Sequence, residues 1–183
     1  VIISKYQELK SKDVRCILAT VVHVEGSSYR RAGARMLVDE YGHITGAISG
    51  GCLEGDALRK ALFALDRQEN KLVTYDTSDE DDAIIGAQLG CNGIIQVLFE
   101  PIIYTDGNNP CELLRTIAEQ EVSMAVSVVF NLDKSQQQLG TSLVADENQA
   151  VSGQQLPNNL QNALLFKSKE VINENASYFA ELT

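Results

Sequence analysis

The sequence is short of several residue types, and each shortage excludes something. Its 183 residues contain no tryptophan, three prolines, two histidines and two methionines. So little proline argues against an extended or collagen-like scaffold. A hydrophobic fraction of 44% is ordinary for a globular chain and ample for a core. Positive charge is scarce, with 15 Lys and Arg against 25 Asp and Glu and a formal net charge of −10. A broad nucleic-acid surface needs a basic stripe, so no nucleic-acid partner is expected. Long apolar runs are missing. Val1-Ile2-Ile3 is too short for a signal-peptide core and nothing approaches a membrane span, so no membrane association is expected. The chain starts at Val1, and a trimmed start is expected. The four cysteines, Cys16, Cys52, Cys91 and Cys111, fall in no paired spacing. With no secretory signal and a size that folds without staples, reduced thiols and a cytoplasmic location are expected.

Three glycine-rich segments stand out against this background. They are Gly26-Ser27-Ser28-Tyr29-Arg30-Arg31-Ala32-Gly33-Ala34-Arg35-Met36, Ser49-Gly50-Gly51-Cys52-Leu53-Glu54-Gly55-Asp56, and Gly90-Cys91-Asn92-Gly93. Glycine lets backbone amides approach a ligand closely. The first segment holds three arginines and no acid in an otherwise acidic chain. Arg30, Arg31 and Arg35 present the planar fork that suits phosphate, with Ser27 and Ser28 as added donors. The same cluster is also compatible with a solvated surface. Gly50, Gly51 and Cys52 precede a predicted helix, whose free amides favour an anion, and a thiol at such a start is the reactive kind. Glu54 reads as either a site residue or a first-turn acid that suits the helix dipole. Cys91 and Asn92 sit between glycines. Cys52 and Cys91 are the candidate metal contacts, because soft thiolates suit soft partners. Zinc is disfavoured, since the two lie 39 residues apart without a CxxC or HxxxH partner. Cys16 and Cys111 read as small buried hydrophobes.

Periodicity predicts an α/β fold: a mixed sheet with flanking helices and glycine-rich loops at strand ends. Ile2, Ile3, Tyr6 and Leu9 mark one face of a helix over 2–12. The β-branched run over 14–24 reads as a largely buried strand. Residues 34–40 and 43–48 read as a hairpin around Tyr41-Gly42. Leu53 to Arg67 reads as an amphipathic helix, and 71–76 and 93–100 as strands, with Pro101 ending the second. The acidic run from Asp76 to Asp82 reads as a solvated loop or cap. Beyond Ile103 the character changes. A helix is predicted over 111–121, strands over 123–132 and 139–145, a helix over 157–168 and an extended end over 176–182. Twelve positions between 131 and 162 are Asn or Gln, with no arginine or histidine among them. No catalytic chemistry is expected there. The expected organisation is a signature region over 1–103 and a second α/β lobe over 104–183 packed on it.

The segments ATVV, GSSYRRAGARMLV, GAISGGCLEGD, YDTSDEDDAIIG, LGCNGIIQV and EP occur in one order from Ala19 to Pro101. In that order they resemble the xanthine dehydrogenase accessory family of XdhC/CoxI type, in its N-terminal domain. The resemblance implies a protein that binds molybdenum cofactor (molybdopterin), with Cys52 and Cys91 toward molybdenum or its terminal sulfur, protects it during sulfuration and delivers it to an apo molybdenum hydroxylase. It implies a cysteine desulfurase as a further partner, and a chaperone more than a catalyst. Purine oxidation is not expected, since no iron–sulfur cysteine pattern or flavin element is present. Family members often continue into a Rossmann-like domain, and this chain ends before the glycine-rich turn of such a domain. Two alternatives stay open: a thiol-dependent sulfur-transfer enzyme using Cys52 or Cys91, and a pure docking module for the apo-hydroxylase. The apolar stretch 123–130 suggests a homo-oligomer.

Overall fold

The computed structural model describes residues 1–27, 31–76 and 92–182, and the chain divides into two compact units. The first comprises Val1–Ile102 with Asn131–Gln138, and the second Ile103–Phe130 with Leu139–Thr183. Among the described residues there are four helices and eight strands, the α/β fold expected, and every strand pairing is antiparallel.

In the first unit α1 spans Ile2–Ser11 and buries Tyr6 and Leu9, the inward side of the predicted face. Strands β1 (Cys16–Ser27), β2 (Arg35–Asp39), β3 (Ile44–Gly46), β4 (Lys71–Asp76) and β5 (Asn92–Pro101) form one sheet in the order β3-β2-β1-β5-β4. The long β-branched β1 is central, and β5 runs beside it for most of its length. The β2–β3 turn is set by Asp39. Its carboxylate accepts from the Tyr41 amide at 2.9 Å and the His43 amide at 3.0 Å, and meets His43 Nδ1 at 2.9 Å. Helix α2 (Glu54–Arg67) turns Ala57, Ala61, Ala64 and Leu65 inward. Three alanines let its backbone sit close to the sheet, and Ile17, Ala19, Val21, Met36, Val38, Val97 and Phe99 complete that core. Each fully buried large side chain contributes about 1.5–3 kcal/mol.

The second unit holds α3 (Pro110–Ala118), β6 (Ala125–Val129), β7 (Gly140–Ala145), β8 (Ala150–Gly153) and α4 (Asn158–Glu174). Asn109 caps α3, its side chain accepting from the Cys111 and Glu112 amides at 3.0 Å each, with Pro110 at the first helical position. The strands form a sheet in the order β6-β7-β8, and Leu143, Ala145, Leu156 and Leu164 form a small core. Helix α4 runs six residues past its predicted end, and β8 went unpredicted. Residues 176–182 make no strand. The Asn- and Gln-rich stretch also divides in an unforeseen way. Residues Asn131–Gln138 belong with the first unit, where Asn70 Nδ2 donates to the Gln138 carbonyl at 3.0 Å.

Candidate functional site

Strand pairing brings the first and third glycine-rich segments side by side where β1 ends and β5 begins. Ser27 pairs with Asn92 and Gly26 with Gly93, where β1 ends and β5 begins. Arg35 opens β2 opposite Thr20, and Gly46 closes β3 opposite Met36. Asp76 ends β4 opposite Ile94. The strands alternate in direction, so these termini point the same way, with β2 and β3 ending level with Thr20 and Ala19 while β1, β4 and β5 run further on.

The glycines there are structural requirements as well as openings. Gly93 admits no side chain, because a Cβ would stand 2.0 Å from the Glu25 carbonyl oxygen. Gly33 (φ +96°) and Gly51 (φ +109°) sit in the left-handed region, and a Cβ at either would meet nothing within 4 Å. Both loops therefore leave open room beside their backbone.

The Ser49 to Glu54 segment is tightly organised. Glu54 Oε1 accepts from the Ile48 amide at 3.2 Å and the Ser49 amide at 2.9 Å, and Oε2 accepts a short hydrogen bond from the Ser49 hydroxyl. Ser49 Oγ in turn accepts from the Gly51 amide at 3.3 Å and the Leu53 amide at 3.1 Å. Burial by itself would raise the Glu54 pKa. The hydrogen bonds from Ser49 and Ile48 outweigh it and hold the carboxyl below its ordinary value. Both carboxylate oxygens are thus turned to the protein's own loop. Cys52, half-buried, lies against the α2-side core. Behind it, Asp56 meets Lys60 Nζ at 2.7 Å and Arg59 Nη2 at 3.1 Å. Burial, and then the Asp56 carboxylate, push the Tyr75 phenol far above its ordinary value, so it stays protonated.

The predicted site residues are placed as follows. Arg31 is exposed, and its carbonyl accepts from the Ala34 amide at 3.1 Å. Arg35 is half-buried, with Nη1 donating to the Gly33 carbonyl at 2.9 Å. Gly50 and Gly51 precede α2, Gly51 exposed in the loop. Ser27 and Asn92 contribute paired backbone at the ends of β1 and β5. Ser28, Arg30 and Cys91 lie outside the described residues, as does the acidic run beyond Asp76. Among the described residues no cluster of three or more His, Cys, Asp and Glu side chains could hold a metal ion. Cys16 and Cys111 are buried thiols outside any disulfide. Sequence reasoning missed Ser49, whose spacing to Glu54 across a Gly-Gly pair was the available signal. It also missed Thr20 and Gln96, buried polar residues hidden within apolar strands.

A cavity of about 310 Å³ lies elsewhere in the first unit, lined by Phe63, Arg67, Glu69, Lys71 and Lys134 among others. It opens where α2 ends and β4 begins, away from the glycine-rich end. No described helix is long and apolar enough to cross a membrane.

The first unit is thus a helix-flanked antiparallel sheet whose loops carry open glycines, two arginines and a half-buried thiol. Residues 9–76 match the model of the XdhC and CoxI family, and this segment belongs to that family, in its N-terminal domain. A Bacillus subtilis (strain 168) protein described as a probable xanthine dehydrogenase component is 46% identical over 86 residues, covering 47% of this chain and 26% of that protein. The Escherichia coli (strain K12) "Molybdenum cofactor insertion chaperone PaoD" is 36% identical over 59 residues, covering 32% of this chain and 19% of that protein. A crystal structure described as a xanthine dehydrogenase from Bacillus halodurans superposes with a TM-score of 0.62 at 31% identity, over 85% of this chain and 45% of that one. The chain therefore spans about a quarter or less of the curated relatives and under half of the solved chain.

Proposed function

We propose that this protein serves the maturation of a xanthine dehydrogenase-type molybdenum hydroxylase by holding molybdenum cofactor and delivering it to the apo-enzyme. The observation that carries this reading is the pairing of Gly26-Ser27 with Asn92-Gly93, which sets the first and third glycine-rich segments side by side. The residues there fit the group. Arg31 and Arg35 offer charge to a phosphate, the loops beside Gly33 and Gly51 leave open space, and Cys52 offers soft sulfur. When bound, the cofactor supplies the molybdenum centre that the hydroxylase needs, and the chain's own residues bind and orient it. The family name and the chaperone among the relatives support the same reading. A homo-oligomeric state and capture by a cysteine desulfurase belong to the proposal as well.

The test is reconstitution. Freshly purified protein incubated with cofactor released from a molybdenum hydroxylase should retain pterin fluorescence through gel filtration and activate the apo-hydroxylase. Retention without activation would leave binding and remove delivery. Absence of both would overturn the reading.

A second reading, sulfur transfer, rests on Cys52. It is half-buried where the other two described cysteines are buried. It should alkylate faster at neutral pH than Cys16 or Cys111, and bound cofactor should protect it. Incubation with a cysteine desulfurase and cysteine would add one sulfur to Cys52, read as a mass shift. No persulfide at Cys52 would remove this reading and leave the chaperone role standing.

A further inference from the structure

Bases elsewhere in the chain sit against acids. Lys12, Lys60, Arg115 and Lys167 each stand 2.7–2.8 Å from a carboxylate oxygen. Arg67, Lys71 and Lys134 differ. Each is exposed, none makes an ion pair among the described residues, and all three line the cavity of about 310 Å³ in the first unit. Three uncompensated cations around one hollow are unexpected in a chain with 25 acids and 15 bases. Their sequence neighbours are committed elsewhere. Asp66 pairs with Arg15 Nη2 at 3.6 Å, and Asp133 accepts from the Ser135 amide at 3.0 Å and its hydroxyl at 2.6 Å. Glu69 is the one acid in the described lining.

The fold holds the three cations in place. Phe63 is half-exposed on α2, and Arg67 Cζ lies 4.6 Å and Lys71 Nζ 5.1 Å from its ring centroid. Lys134 arrives from a segment remote in sequence, which the buried Gln138 closes into a loop. Gln138 Oε1 accepts from the Asn131 amide at 2.7 Å, and its Nε2 donates to the Asn131 carbonyl at 2.9 Å. Asn70 Nδ2 then ties this loop to the turn before β4, donating to the Gln138 carbonyl at 3.0 Å. Helix, strand and loop thus each bring one positive charge to the cavity.

We infer that this cavity binds a compact phosphate-bearing anion, at a site separate from the glycine-rich loops. Three positive charges against Glu69 leave an excess of two in the lining. A phosphate group carries about −1.5 to −2 at neutral pH and offers three acceptor oxygens, whereas a carboxylate offers one charge and two oxygens. The Arg67 fork suits two of those oxygens, and the lysines act as point charges. The volume falls at the lower end of the roughly 300–1,000 Å³ of small-molecule sites, too little for a protein segment. Phe63, Ala64 and Leu72 give one side of the lining an apolar character that suits a short carbon body. Lys71 opens β4 and Asp76 ends it, five residues or about 17 Å away, so the site stands independently of the cofactor-binding reading.

The test is calorimetric titration of the whole chain at low salt with inorganic phosphate, phenyl phosphate and benzoate. Both phosphates should bind and raise the thermal midpoint, and the tighter of them tells a free anion from an ester. Benzoate keeps the ring with a single charge and should bind about tenfold more weakly than phenyl phosphate. Arg67→Ala, Lys71→Ala and Lys134→Ala should each weaken phenyl phosphate about three- to tenfold, between an exposed ion pair and a charge-assisted hydrogen bond. Glu69→Gln should tighten it. All four side chains are exposed, so the variants should fold. Lys169→Ala, at an exposed lysine of the second unit, should change nothing. No phosphate binding by the wild type, or unchanged affinity in the three alanine variants, would overturn the site. An equal loss in Lys169→Ala would reduce it to general charge attraction and overturn it as well. Benzoate binding as tightly as phenyl phosphate would overturn the phosphate assignment.

Discussion

The two ends of the five-stranded sheet are built on opposite terms. At one end the chain closes on itself. Asp39 ties the β2–β3 turn, Glu40 Oε2 pairs with Arg15 Nε at 3.1 Å, and the Ile102 amide donates to the Cys16 carbonyl at 3.0 Å. Nearby side chains are leucines and isoleucines. At the other end the loops leave room beside Gly33 and Gly51, and two buried oxygens go unsatisfied. One end has committed its hydrogen-bonding capacity to the fold and the other keeps some in reserve. Stability and binding should therefore respond to substitutions at different places.

The harshest way to break this contrast is Gly93→Ala. Its Cβ would meet a backbone oxygen, which cannot swing aside, so β1 and β5 must separate locally. A loss above about 3 kcal/mol is expected in urea unfolding. Next comes Glu54→Ala, which strands the Ser49 hydroxyl and two amides and should cost about 1–3 kcal/mol. This carboxyl also gives a pH signature. Its folded-state pKa lies below the ordinary 4.5, so its contribution is complete above that value and fades as pH falls through the folded-state pKa. Glu54→Gln should flatten this part of the acid limb, and an unaltered limb would show that the carboxylate's charge is immaterial. Gly33→Ala should cost only about 1–2 kcal/mol, for the left-handed backbone alone, since no clash awaits it. Comparison with Gly93→Ala thus separates crowding from backbone strain. Arg31→Ala is the gentlest. It should leave the thermal midpoint nearly unmoved, within about 0.5 kcal/mol, and weaken cofactor retention.

Much of the frame was legible because its elements are periodic and local. Helix α1, the first strand, the hairpin, α2 and β4 follow from spacing alone. The failures share a cause. β8 is four residues long and lacks a β-branched run, so nothing local marks it. The last turns of α4 contain Val171 and Ile172, which weaken helix propensity, and α4 forms through its packing. Antiparallel pairing throughout could not be read, since period-2 alternation is silent on direction. In the site, Glu54 read as either a site residue or a helix-start acid, because the dipole argument concerns only its own helix. Its main partners precede that helix, in a loop whose conformation the sequence does not announce. Thr20 and Gln96 were invisible for a different reason. Within apolar strands they read as tolerated polar residues, and only burial without a partner sets them apart.

The pairing of β1 has a consequence for how the domain opens. From Ile17 to Thr20 this strand is held on both sides, by β2 and by β5; from His23 to Ser27 its ladder partner is β5 alone. The half that is held once should zip last as the domain forms and part first under native fluctuations. Amides of Val24 to Gly26 should then exchange with solvent before those of Ile17 to Ala19. The glycine-rich end would be the low-stability edge of an otherwise rigid sheet, a door hinged on residue 21.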